Sequence, residues 1–365
     1  AGTVTLSGAA QTIGGSSSTT FYNLSTSGGG TKTLGIATTV GGTLTIGSGT
    51  GVDVSTSSYA LRVNGNWNNS GTFTPGLGTV TMGGTAAQAI GGSATTTFYN
   101  LTLSNAAGAV SASINFNVTG TLTVSANAIM APGAAVIINS GGAAGTITGS
   151  GTVMVTRTDA TAGYVNQYKF TTNTLTGMTV EYAGAGAQTV DIANCAGLKT
   201  SGSGTKTLAL GVSVNGGVTI GSGTTLDVSA LSYALTVNGD WTNSGAFTPG
   251  FGTVTMAGTA AQAIGGSATT TFYNLMLSNT AAAVSAGVNF NVTGTLTVNA
   301  NAIMAPAAAV IINSGGAAGT ITGSGTVRVT RIVATADYAN QYKFSTNILT
   351  SMTVDHAGAG AQTVN

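Results

Sequence analysis

The sequence predicts an all-β chain wound as a parallel β-helix, a β-solenoid repeat rod with a right-handed coil as the expectation and no significant helix. Three observations carry this. The chain repeats itself at long range, its apolar residues alternate with hydroxyl residues at period two, and glycine-rich turns bound every run in a nearly uncharged background.

The repeat comes first, because self-similarity has to be read before any local motif. The segment Gly78 to Val190 recurs as Gly252 to Val364 with few substitutions. A shorter mark, Ala-Gln-Xaa-Ile/Val, places its glutamine at Gln11, Gln88, Gln188, Gln262 and Gln362. Short and long spacings alternate between these marks. They divide a single continuous solenoid, 1–365, into a short unit 1–87, a long unit 88–187, a short unit 188–261 and a long unit 262–365. After most marks comes an aromatic-Asn-Leu step: Phe21-Tyr22-Asn23-Leu24, Phe98-Tyr99-Asn100-Leu101 and Phe272-Tyr273-Asn274-Leu275. After Gln188 a shortened version puts Cys195 in the slot of Phe21.

The strand signal is Thr-Val-Thr-Leu at Thr3, Thr-Leu-Thr-Ile at Thr43, Thr-Val-Thr-Met at Thr79 and Thr253, and Thr-Leu-Thr-Val at Thr121 and Thr295. β-branched residues suit a pleated surface, and the Gly-Gly, Asn-Gly and Ser-Gly dipeptides supply tight turns. A string of sandwiches calls for more aromatics than the 6% present, and a propeller calls for a blade period of about 40–50 residues. A β-helix needs only a thin core of stacked Val, Ile and Leu and tolerates coils of unequal length. With about 20 residues per coil the chain holds about 15 to 19 coils, a rod of about 80 Å at about 4.8 Å per coil. Asn64, Asn117, Asn238, Asn291 and the Asn of the aromatic step are expected at corners, where Asn tolerates left-handed geometry.

Composition excludes several classes. Charged residues are 5% of the chain and the net charge is +1, so there is no electrostatic footprint for nucleic acid. Disorder pairs low hydrophobicity with high charge or proline, whereas this chain has a positive mean hydropathy and four prolines. No run is long and apolar enough for a membrane helix. One cysteine permits no internal disulfide, and Cys195 reads as a buried filler. Low charge also removes colloidal repulsion, so the chain is expected to assemble.

Both ends fall within one motif: Thr3-Val4-Thr5-Leu6 leads to Gln11, and Thr353-Val354 leads to Gln362 and Val364. Neither end carries the polar cap a solenoid end normally has. The expectation is a window from a longer array, or a subunit whose edges Thr3, Val4, Thr5, Leu6, Thr353, Val354, Gln362 and Val364 stack head to tail on copies of itself.

The series Val63-Asn64-Gly65-Asn66-Trp67, Gly71-Thr72-Phe73, Gly78 to Met82, Ala87-Gln88 and Phe98 to Leu101 resembles the β-strand-repeat segments of large bacterial surface and secreted proteins, adhesin-like or autotransporter-passenger-like. Val237-Asn238-Gly239-Asp240-Trp241 through Leu275 repeats the likeness, and Gly204-Thr205-Lys206-Thr207-Leu208 extends it. The resemblance implies a structural role outside the cell or at its surface and brings no catalytic residues with it.

The search for chemistry yields no catalytic, cofactor or metal site. The eight carboxylates form no cluster present in both copies, and His356, the sole histidine, has Tyr182 as its counterpart. The Gly-Ser-Gly stretches at Gly47 and Gly221 have no helix after them and read as turns. The densest aromatic regions are the tails of the long units, with Tyr164, Tyr168, Lys169 and Phe170 in one copy and Tyr338, Tyr342, Lys343 and Phe344 in the other. They are the candidate loops for stacking on surface glycans or a partner protein, with a longer corner loop packed on the rod as the plainer reading. Repeated Thr-Xaa-Thr pairs raise an ice-binding face, but along the sequence they do not recur once per coil at fixed spacing. The expectation is therefore a non-enzymatic, extracellular rod or self-assembling filament, with an adhesin stalk as the alternative.

Overall fold

The structure, a computed structural model, describes residues 2–142, 144–159, 162–315, 318–332 and 337–364. It is all-β, with parallel strands stacked as a β-solenoid of about 15 turns in all. The chain divides into two compact units, Ala1–Val180 and Glu181–Asn365.

In the first unit most turns pass through three short strands, one per face. One turn consists of Asn23–Thr26, Gly30–Leu34 and Thr38–Val40, after which Leu44–Ile46 lies directly on Asn23–Thr26, with Leu44 opposite Leu24. The first face continues through Trp67–Asn69, Gln88–Gly92, Val110–Ala112, Ile129–Pro132 and Thr152–Val155, every pair parallel. Here Trp67 lies opposite Leu44 and Ile90, so these rungs take more chain than the one between Leu24 and Leu44. The bends absorb the difference. Parallel strands in register are the arrangement that lets a thin inner column form without any long-range crossover.

Alternation decides which side chains enter that column. Thr121–Val124 and Thr79–Met82 both run half-buried, buried, half-buried, buried, so Leu122, Val124, Val80 and Met82 point inward and the threonines outward. Leu101, Leu122 and Ile147 stack on successive rungs and are fully buried. Each such side chain contributes about 1.5–3 kcal/mol by leaving water. Trp67 anchors an aromatic cluster, its ring 4.8 Å from Phe73 and 5.0 Å from Phe98 in edge-on geometry. Its Nε1–H donates to the Thr96 hydroxyl at 3.0 Å, which offsets the desolvation of the indole nitrogen.

The second unit repeats this plan. Trp241–Asn243 pairs with Val218–Ile220 and Gln262–Gly265, and Trp241 packs on Phe247 and Phe272 with its indole N–H on the Thr270 hydroxyl. Cys195 takes the place of Phe21 as expected. It is fully buried opposite Val214, as Phe21 lies opposite Val40. Burial pushes its thiol up to about 12.

Equal sequence marks do not sit on equal faces. Phe21-Tyr22-Asn23-Leu24 turns from the third face into the first, whereas Phe98-Tyr99-Asn100-Leu101 turns from the second into the third. The bend itself is the same. Asn23 Oδ1 accepts the Thr43 N–H at 2.8 Å and Asn100 Oδ1 accepts the Thr121 N–H at 3.0 Å, each one rung on. A Cβ on Gly42 or Gly120 would lie 2.3 or 2.6 Å from that asparagine oxygen, so the rung above needs glycine there. Asn117 and Asn291 are not at corners but in mid-strand, in Phe116–Val118 and Phe290–Val292. The left-handed asparagines are Asn127, Asn139, Asn301 and Asn313.

The glutamine marks follow the same rule. Gln11 and Gln188 lie on second-face strands, Gln88 and Gln262 on first-face strands. Gln88 is buried, and its Nε2 donates to the carbonyls of Val63 (3.0 Å) and Gly65 (2.6 Å) in the preceding rung. Its Oε1 accepts from the Gly84 N–H and from Asn105 Nδ2. Gln262 repeats the set with Val237, Gly239, Gly258 and Asn279. A Gln88→Ala change strands these groups and should cost about 2–4 kcal/mol, read as a lower urea midpoint of the whole chain.

Candidate functional site

The aromatic loops of the long units hold their rings inside. In the first unit the single helical turn Tyr164–Gln167 brings Tyr164 and Tyr168 into a stack, centroids 5.0 Å apart and 12° between planes. Both are 1% exposed. The Tyr168 hydroxyl donates to the Met154 carbonyl at 2.8 Å, and Tyr164 donates to Asn173 Oδ1 at 2.9 Å. Gln167 ties the turn down by accepting the Thr156 N–H and donating to the carbonyls of Gly133 and Val136. Phe170 is buried as well, which leaves Lys169 as the exposed member of the predicted set.

The second unit matches: Tyr338 and Tyr342 stack at 5.1 Å, Tyr342 donates to the Arg328 carbonyl, Phe344 is buried and Lys343 is exposed. Asp337 replaces Gly163 and caps this turn by accepting the Asn340 N–H. An open groove of about 460 Å³ runs beside the loop, lined by Tyr338, Lys343, Phe344, Asn347 and Leu349 among others. The rings thus match the plainer reading, a longer loop packed on the rod. These tyrosines replace the missing second-face strand, with Tyr168 and Tyr342 bridging to Ile138 and Ile312, and their faces are turned into the core.

Of the predicted edges, Thr3–Leu6 pairs with Asn23–Thr26 and is largely exposed, with Val4 44% exposed where its interior counterpart Leu44 is covered. Thr353–His356 pairs with Thr326–Val329, placing Val354 beside Val327. Gln362 donates to the carbonyls of Val329 and Arg331, the same clamp that Gln88 makes, and Val364 is exposed.

The carboxylates serve their surroundings. Asp53 and Asp227 accept the N–H two residues on, Glu181 holds Lys199 at 3.1 Å and Ser201 at 2.6 Å, and Asp355 holds Arg328 at 3.0 Å. Among the described residues no three His, Cys, Asp or Glu side chains form a group that could hold a metal ion, and no helix is long and apolar enough to cross a membrane.

Two features escaped the sequence reading. First, Lys32 and Lys206 point into the column and are fully buried. Lys206 Nζ donates to the carbonyls of Gly184 (2.6 Å), Ser203 (2.9 Å) and Gly186 (2.9 Å), and Lys32 donates to those of Gly8 and Gly29. Inward alternation at the third residue of Gly-Thr-Lys-Thr-Leu is the signal that could have found them.

Second, although the Thr-Xaa-Thr pairs themselves are interrupted, as at Asn100-Leu101-Thr102, single outward threonines recur once per turn over part of the third face. On the third face of the first unit Thr81, Thr102, Thr123 and Thr148 are successive register partners, although their spacing along the sequence is uneven. Unequal bends hid an even ladder.

The fold and these surfaces define a parallel β-solenoid repeat protein. Comparison with protein-family models, with curated proteins and with solved structures found no match to the chain.

Burial raises the hydroxyls of Tyr168, Tyr182 and Tyr342 well above the ordinary tyrosine range. Burial raises Tyr338 too, so ultraviolet titration of the folded chain should show these four ionising later than the exposed tyrosines. Burial pushes Lys206 down to about 8 from an ordinary 10.5. Between those values the unfolded chain binds the extra proton, so stability rises with pH through that window until tyrosine ionisation opposes it above about 10. Thermal melts across that window should show the rise, and Lys206→Met should remove it.

Proposed function

We propose that the chain is a structural protein, forming a stiff solenoid rod or self-assembling filament outside the cell, at its surface or in a matrix. The observation that carries this reading is the sameness of the rung. Turn after turn offers the next a parallel edge, an inward apolar column and corner carboxamides that reach across to the neighbouring rung's backbone. Any open rung therefore accepts a further turn, whether the same chain or another copy supplies it. With charged residues at 5%, little repulsion opposes that addition.

The adhesin alternative draws on the groove beside Lys343 and Phe344 and receives less support, because the stacked tyrosines on which it relied are turned inward. Electron microscopy of the concentrated, purified chain should show filaments one solenoid wide. Val4→Lys with Leu6→Lys, which places two cations on the open edge, should abolish them while circular dichroism stays strand-like. A wild-type chain that remains dispersed at every concentration would refute the reading.

A further inference from the structure

We propose that the third face of the solenoid binds the surface of ice through its two columns of threonine. In the first unit the outer column is Thr81, Thr102, Thr123 and Thr148, stacked rung on rung. Two residues earlier on the same strands lies the other column, Thr79, Asn100, Thr121, Thr146 and Thr172, held by the same pairings and by the Asn100 bond to the Thr121 N–H. Parallel strand spacing sets the repeat along a column at about 4.8 Å, and two residues of strand set the distance between columns at about 6.6 Å. The result is a two-dimensional array of hydroxyl and methyl groups, interrupted by the Asn100 carboxamide.

Three properties suit this lattice to ordered water rather than to a flexible partner. Its threonines are stiff, because each is branched at Cβ and all but the exposed Thr172 are half-buried, so little freedom is lost on meeting a solid. The hydroxyls of Thr81, Thr102, Thr123 and Thr148 take no protein partner among the described residues and can enter a water network as donor and acceptor. From Thr81 to Thr148 the column holds no charged side chain, and Arg62, the register partner of Thr81 on the preceding rung, bounds it at one end with its guanidinium on the Gly83 carbonyl.

The second unit carries the same lattice with one flaw. Thr253, Asn274, Thr295 and Thr320 form one column, and Thr255, Met276, Thr297 and Thr322 the other. Met276 stands where the first unit has Thr102, beside a shallow trough lined by Thr253, Asn274, Thr295 and Thr297.

Nanolitre osmometry and ice-recrystallisation assays on the full chain test this. The expected result is faceted ice and measurable thermal hysteresis. Thr102→Lys with Thr123→Lys should lower both, adding Thr297→Lys in the second unit should abolish them, Thr45→Lys on the first face should leave both unchanged, and Met276→Thr should raise the hysteresis. Circular dichroism confirms that each variant keeps its strands. Unshaped ice with the wild-type chain, or an equal loss from Thr45→Lys, would overturn the proposal. So would retention on crystalline cellulose without any effect on ice, which would assign the lattice to a glycan surface.

Discussion

Parallel register between rungs is the constraint on which everything else in this molecule depends. Once Leu24 lies opposite Leu44, and Leu101 opposite Leu122, the inward column, the outward rows and the positions of the bends follow without further instruction. No single turn could bury its own inner face, so local order here exists only as part of a stack. That is why a chain with few aromatics and few charges can still be ordered: its cohesion is spread over many short ladders, each weak alone.

The polar groups inside the stack follow the same logic. A bend leaves backbone N–H and C=O groups without a ladder partner, and the chain answers with carboxamides of fixed reach: Asn23, Asn100 and Asn274 for an N–H one rung on, and Gln88, Gln262 and Gln362 for carbonyls of the preceding rung. Lys206 extends the device with an ammonium that gathers three carbonyls at once. Unmet buried polar groups are costly, so these few side chains do more for the fold than an exposed ion pair such as that of Arg328 with Asp355.

Much of this was legible in the sequence because it is local. The Thr-Val-Thr-Met and Thr-Leu-Thr-Val strands, the fit of Cys195 to the Phe21 slot and the all-β class follow from alternation and repeat alone. What escaped depends on sums of bend lengths that no window along the chain contains. The Phe-Tyr-Asn-Leu step looks the same at Phe21 and at Phe98, yet it turns different vertices because the turns between them differ in length. The same summation concealed the even threonine rows, whereas the inward lysines were readable from the alternation in Gly-Thr-Lys-Thr-Leu. The tyrosine loops misled for another reason: aromatic density marks a surface only when a strand already fills the core beneath it, and here the rings are that filling.

The portable corner has a final consequence. Because Asn23 and Asn100 make one bend at two different vertices, and rungs of unequal length stack equally well, length is free to vary at the corners and nowhere else. A foreign segment grafted into a vertex would leave its neighbours undisturbed. One extra residue inside a strand would instead turn Leu122 out and its flanking threonines in, a phase error carried to the next bend. Evolution can thus decorate this solenoid at its vertices while its flat sides stay nearly closed to insertion.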